Sequence, residues 1–212
     1  MAGARDFESG NLEWFGHADN ADFSTGDIDF TLQAWINIET VAANLWILSK
    51  EGVANGEYEL QVDAVGTLTW RVYASSGYGG AQAVTWGSAL SAATWYLVHA
   101  WHDSVNNQIG VAVNAGTAVT AAHTTGVVDT TDPFEIGALS FYGRHFDGLI
   151  DEVGFWKRVL SSAERTELYN GGAGRDYAYI AGGAVGHPAA RRLGGIRGGR
   201  PVEIGREGVM VY

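Results

Sequence analysis

The chain has 212 residues, no cysteine, and 13 Lys and Arg against 24 Asp and Glu, for a formal net charge of −11. That length suits one large all-β domain with an appendage. The composition excludes a disulfide framework and a cysteine nucleophile, and the acidic excess argues against binding a phosphate backbone.

The predicted elements follow in chain order. The first 14 residues, MAGARDFESGNLEW, hold one Arg and no apolar run, so no secretory leader is expected. Period-two alternation then predicts strands over residues 12–17, 30–38, 45–50, 58–62, 68–73, 83–86, 96–101, 109–113, 134–136 and 146–156. The clearest runs from Phe30 to Ile38, with Phe30, Leu32, Ala34, Ile36 and Ile38 on one face and Trp35 on the other, between Gln33 and Asn37. Turn residues at Val53-Ala-Asn-Gly56, Ala64-Val-Gly66, Asp103–Asn107 and Asn114-Ala-Gly116 separate the strands. Short strands joined by turns, with no helix between them, predict an antiparallel β-sandwich of the jelly-roll kind.

One short helix is expected after the last strand. Ser161-Ser-Ala-Glu164 is a capping-box pattern, and Asn170-Gly171-Gly172 supplies the stop. Beyond Tyr177 the composition turns to Gly, Ala and Arg, ending in the alternating Pro201–Tyr212 segment. Residues 178–212 hold five Arg and two Glu, a net of +3, so the other 177 residues carry −14 (−11 − 3). Residues 1–177 are therefore expected to form the sandwich, and 178–212 an extended arm docking on partner subunits. Its contacts would come from Arg191, Arg192, Arg197, Arg200, Val202, Ile204, Val209, Val211 and Tyr212.

Phe146-Asp-Gly-Leu-Ile-Asp-Glu-Val-Gly-Phe-Trp, followed by Val159-Leu-Ser-Ser-Ala-Glu164 and Leu168-Tyr169, resembles the closing strand and helix of the laminin-G-like, concanavalin A-like jelly rolls. Phe30-Thr-Leu-Gln-Ala-Trp-Ile, Ile47-Leu-Ser-Lys50, Trp95-Tyr-Leu-Val-His-Ala and Val113-Asn-Ala-Gly116 agree with that family's pattern in the same order. The resemblance covers roughly residues 5–171 and implies a concanavalin A-like fold. Members bind glycans, assemble as pentraxin-like rings, or decorate larger proteins and virions.

Candidate chemistry is sparse. Asp151 and Glu152 are neighbours on a strand and face opposite sides, so they cannot form a two-carboxylate catalytic pair. Asp151, placed with Leu149, Val153 and Phe155, is expected to need a buried partner. Glu57-Tyr-Glu-Leu-Gln-Val-Asp63 does not match the E-x-D-x-x-E run of the family's glycosidases, and the six His show no metal-ligand spacing, so no enzyme is expected. No cofactor is expected either. The loop that carries acids in pentraxin-like relatives, residues 137–145, holds no carboxylate here, which counts against that family's calcium site; calcium is left open at Asp19-Asn-Ala-Asp22 and Asp103–Asn107, although such clusters are more often hydrogen-bonded turns. That loop offers Phe141, Tyr142, Arg144 and His145 for contact with a glycan or a protein, and Trp70, Tyr73, Tyr78 and Trp86 are further candidates if exposed.

The first expectation for function is a non-catalytic subunit of a virus particle, a capsid decoration or tail-associated protein. It would be made in the cytoplasm and docked through its arm in a homo-oligomer or lattice. The alternative is an extracellular lectin-like module that binds surface glycans. Neither reading engages nucleic acid through the main domain, or a membrane.

Overall fold

A computed structural model describes residues 4–175 and, further on, the backbone of two short strands at 203–205 and 209–211. The strands are β1 (Arg5–Phe7), β2 (Phe15–His17), β3 (Phe30–Ile38), β4 (Leu45–Glu51), β5 (Gly56–Val62), β6 (Leu68–Val72), β7 (Gln82–Thr85), β8 (Trp95–Asp103), β9 (Gln108–Val113) and β10 (Val119–Ala122). Then come β11 (Phe134–Ile136), β12 (Ala138–Leu139), β13 (Arg144–His145), β14 (Gly148–Trp156), β15 (Glu203–Gly205) and β16 (Val209–Val211). One sheet has the order β10-β9-β8-β3-β14-β16-β15, with β1 also on β14; the other is β2-β11-β4-β5-β6-β7; β12 and β13 pair with each other. The pairings are antiparallel, as the alternation predicts.

The core lies between the two large sheets. Phe30, Leu32, Ala34, Ile36 and Ile38 of β3 point into it and meet Tyr58, Leu60, Val62, Leu68, Trp70 and Val72. Phe30 stacks on Phe155 at 5.8 Å and meets Trp70 edge-on at 6.0 Å. The Trp70 indole spans the layers and donates to the Trp101 carbonyl at 3.1 Å, so its buried N–H is satisfied. Trp35 faces away, as its parity requires. It enters a second buried cluster with Leu97, Trp156, Leu160 and Leu168, covered by α1 (Ser162–Tyr169), the one α-helix among the described residues. Tyr169 lies over the Trp35 ring at 5.8 Å, and Arg165 sits 4.5 Å above the Trp101 ring. The helix starts at the expected capping box and ends at Asn170, whose φ of 47° reverses the chain. Among the described residues no helix is long and apolar enough to cross a membrane.

Several boundaries differ from expectation for local reasons. The strand expected over 12–17 is only β2, because residues 9–11 close a 3-10 turn and Leu12 adopts φ 57°. The closing strand begins at Gly148, not Phe146. Gly148 has φ 133°, and a Cβ there would strike the Asn37 carbonyl, so only glycine fits. β1 and β10 were not anticipated: they are three and four residues long and lie at sheet edges.

The expected face of Asp151 needs correction. The register slips between Asp151 and Gly154, with Glu152 at φ 48°, which is a β-bulge. Ile150, Val153 and Phe155 therefore all point into the core, while Asp151 lies opposite Trp35 on the outer side and accepts from the Glu152 amide at 3.0 Å.

A buried ion pair ties the loops at one end of the second sheet to its strands. Lys50, fully buried, pairs with the equally buried Glu57, and its ammonium also reaches Asp19 at 2.9 Å and the Thr130 carbonyl at 2.8 Å. Glu57 accepts from the Thr130 amide at 2.6 Å and the Thr25 hydroxyl at 2.9 Å. Burial pushes the Glu57 carboxyl up, against the pull of Lys50, Thr130 and Thr25. Lys50→Met, which strands Glu57 without its cation, is expected to cost about 3–5 kcal/mol in urea unfolding. Lys50→Met with Glu57→Leu should recover much of that loss; a double variant no better than the single one would show that the pair's charge is not what matters.

Candidate binding face

The hairpin β12–β13 folds back over the outer face of β4, held by the Ser49 hydroxyl donating to the Ala138 carbonyl at 2.7 Å. Glu135 secures the turn from below, accepting from the Ser140 amide at 2.7 Å and from its hydroxyl. The tip is a 3-10 turn at Ser140–Tyr142 that leaves Phe141 and Tyr142 49% and 52% exposed, with their rings edge-to-face at 4.9 Å. Two exposed aromatics supported by a fixed turn are available for contact. Arg144 is exposed and lies 5.9 Å above the Trp46 ring.

His145 does not join them. It is 8% exposed, and its Nδ1 finds no hydrogen-bond partner. Parity explains the split: Arg144 and His145 are adjacent on β13, so one faces solvent and the other the sheet. Beside the hairpin opens a shallow cleft of about 260 Å³, lined in part by Ser9, Thr40, Asn44, Arg144, His145 and Asp147.

Next to the hairpin, the outer face of β5, β6 and β7 is polar. Gln61, Thr69 and Thr85 stand opposite one another across the three strands, as do Glu59, Arg71 and Ala83. Trp46 Nε1 donates to Glu59 at 2.6 Å, and the other Glu59 oxygen takes the Arg71 guanidinium and, at 3.4 Å, the Tyr73 hydroxyl. The Gln61 Oε1 has no partner. Trp46, Glu59, Arg71 and Tyr73 are therefore held in place before any ligand arrives.

The segment 57–63, set aside above as a hydrolase run, supplies this face. Its residues Glu59 and Gln61 alternate with the core residues Tyr58, Leu60 and Val62, and that alternation was the available signal, while Glu57 is spent on the buried pair with Lys50. Trp70 is wholly in the core; Tyr73 is buried at the edge of the polar face; Tyr78 and Trp86 are half-buried.

Two acidic groupings stand out. Glu51, 3% exposed, has an Oε1 without a partner. Burial pushes its carboxyl up to about 8; the Arg71 guanidinium opposes this, and Asp132 and Glu135 add to it. At the edge of the cleft the carboxylates of Glu8, Glu39 and Asp147 come within 4.8 Å of one another, an arrangement among the described residues that could hold a hard cation. Sequence distance hid that group.

The turns where calcium was left open are satisfied internally. Asp103 accepts from the Asn106 amide at 2.9 Å and side chain at 2.8 Å; Asn20 accepts from the Asp22 amide at 2.7 Å; and Asp19 serves Lys50. His99 and His102 are buried on opposite faces, His99 against Gln33 at 3.1 Å and His102 against the Ile28 carbonyl at 2.7 Å. Burial, with Arg165 nearby, pushes His99 down to about 3. Of the arm residues expected to make contacts, Ile204, Val209 and Val211 are described in backbone alone. Arg191, Arg192, Arg197, Arg200, Val202 and Tyr212 lie outside the described residues.

The model for the concanavalin A-like lectin/glucanases superfamily matches residues 14–164, most of the sandwich. The chain belongs to that superfamily. Solved structures that share the concanavalin A-like fold include a candidate carbohydrate binding protein from Bacteroides ovatus, with a TM-score of 0.65 and 20% identity over 98% of this chain and 56% of that one. The chain thus spans little more than half of the Bacteroides protein. The native heptameric SAP-like pentraxin from Limulus polyphemus follows, with a TM-score of 0.56 and 13% identity over 76% of this chain and 78% of that one. The binding domain of Paraclostridial Mosquitocidal Protein 1 has a TM-score of 0.58 and 13% identity over 77% of this chain and 42% of that one. No curated protein matches.

Glu51 gives this face a pH signature. Its folded value lies above the ordinary 4.5, so the stability it contributes is complete below about 4.5 and is lost as the pH rises through about 8. Glu51→Gln should flatten the fall in Tm between pH 5 and pH 9. Parallel Tm profiles for the two proteins would show that Glu51 ionises normally.

Proposed function

We propose that this chain is a non-catalytic glycan-binding domain whose contact surface is the β12–β13 hairpin with the adjoining cleft and polar sheet face. The observation that carries the reading is the exposure of Phe141 and Tyr142 on a fixed turn beside Arg144. Sugar rings offer apolar C–H faces that stack on aromatics and hydroxyls that need paired donors and acceptors. The hairpin supplies the first, and Gln61, Thr69, Arg71 and the cleft residues Ser9, Thr40 and Asn44 supply the second. The carboxylates around Glu51 make uncharged glycans better ligands than sulfated or uronate-rich ones. The Bacteroides relative, a candidate carbohydrate binding protein, agrees with this reading.

A glycan array is expected to give saturable binding. Tyr142→Ala should weaken it at least tenfold, about 1.4 kcal/mol, while leaving Tm within a degree or two, because the ring is half in solvent. Uniformly negative arrays would overturn the proposal.

A second reading, a virion subunit docked through its arm, rests on the charge split between body and arm and on the arm strands adding to a sheet edge. On that reading the protein is made in the cytoplasm and carried on the particle. Purified particles from cells expressing the gene would contain the full chain and exclude one ending at residue 177. Equal incorporation of both forms would remove this reading.

A further inference from the structure

We propose that the Lys50 amine and the Asp19 carboxyl condense after folding into an isopeptide bond, with Glu57 carrying the protons, so that the loop after β2 becomes covalently tied to β4. The inference is independent of glycan recognition, and the ion pair described above is its reactant.

Side chains from three segments meet at this point. Lys50 Nζ is in contact with Glu57 Oε1 on one side and lies 2.9 Å from Asp19 Oδ1 on another. The Lys50 and Glu57 side chains have no exposed surface, while that of Asp19 is 23% exposed. Nζ and Oδ1 touch without the alignment of a hydrogen bond, for Oδ1 has no hydrogen-bond partner. Cγ is one bond beyond Oδ1, so the nitrogen stands within about 4 Å of the carbon it would attack. Reactants held at that separation need no encounter, and such positioning is among the largest sources of rate open to a protein.

The surroundings favour the amide over the ions. Tyr58 stands opposite Lys50 on β5, and its ring packs against Phe30 at 5.6 Å, Trp70 at 5.6 Å and Phe134 at 6.4 Å. Behind that aromatic wall, exchanging two buried charges for one neutral amide relieves their desolvation. The Tyr58 hydroxyl is itself buried without a hydrogen-bond partner. Burial, then the charges of Glu57 and Asp19, hold it protonated. It is therefore a free donor within the field of both carboxyls, suited to the oxyanion that forms at Asp19.

Glu57 has the properties of a proton carrier. Burial holds its carboxyl above the ordinary value, against the pull of Lys50, Thr130 and Thr25, which suits a group that takes a proton and gives it back. It accepts one proton from the ammonium, rotation about Cε–Nζ turns the freed lone pair toward Asp19, and a bond forms from Nζ to Cγ. Protons passed on through Glu57 make one Asp19 oxygen a water, which leaves as its bond to Cγ breaks. Of the three ammonium protons, one stays on the amide nitrogen, which has the Thr130 carbonyl 2.8 Å away, and two depart with the oxygen. A cation and an anion thus become a neutral amide and one water, and the balance needs no oxidant or reductant.

The test is the intact mass of the full chain after incubation in the folded state. A chain lighter than its sequence by one water is expected. A glutamate-specific protease cuts at Glu39, between Asp19 and Lys50, yet should leave their two peptides joined. Asp19→Asn should form the same bond with loss of ammonia in place of water. Asp19→Ala, on a partly exposed loop, should fold, keep the mass its sequence requires and melt at a lower temperature for want of the cross-link. Glu57→Gln, whose amide cannot carry the proton, should slow the reaction at least about tenfold. A full chain that stays at the mass of its sequence overturns the proposal. So does a loss of water that persists in Asp19→Ala, which is cyclisation at another residue, or a Glu57→Gln chain that cross-links as fast as the parent.

Discussion

The Lys50–Glu57 pair is the constraint on which the second sheet depends. A fully buried ammonium is tolerable only when its donors are used and a counter-charge stands against it. Here three acceptors close around it: Glu57 from the neighbouring strand, Asp19 from the loop after β2, and the Thr130 carbonyl from the loop before β11. Because Glu57 in turn takes Thr25 and the Thr130 amide, one charged contact fixes two long loops against β4 and β5. A hydrophobic core could hold the strands without it. It could not specify where those loops lie, since loops carry little apolar surface to bury.

The candidate binding face inherits this order. β11, which the 129–132 loop leads into, pairs with β4 and continues into the β12–β13 hairpin. With β11 in register, Glu135 lies under Ser140, and the turn that carries Phe141 and Tyr142 cannot drift. The Trp46–Glu59–Arg71 set performs the same service for the sheet beside it. Recognition surfaces built this way lose little side-chain entropy on binding, which is where much affinity otherwise goes.

The sandwich was legible in the sequence because burial on one face imposes period two, and β3 displays it over nine residues. The helix was legible because its ends are set by local hydrogen bonds that Ser161, Glu164 and Asn170 announce. The phase of β14 was not legible, since a bulge depends on what the neighbouring strand permits and Glu152 is an ordinary residue for a strand. The site was half legible. Phe141, Tyr142 and Arg144 stood out as a polar-aromatic loop, while His145 turned inward by parity. Trp46, Glu51 and Arg71 gave no local signal, because their role arises from neighbours across strands. The Glu8, Glu39 and Asp147 group exists only once the two ends of the sandwich domain are brought together on β14.

The bulge in β14 has a consequence for how the chain length can vary. Residues 152 and 153 together stand opposite Ala34, so Ile150 and Val153 face the same side although three positions apart. Removing Glu152 would leave an unbulged ribbon with every later side chain, Phe155 and Trp156 included, still on its present side. Adding a residue elsewhere in the strand ahead of Phe155 would send Phe155 to the helix side and Trp156 into the sandwich. The closing strand therefore carries one spare link. Its loss would straighten the ribbon and withdraw the Glu152 carbonyl from the Gln33 amide, and with it the prop behind His99.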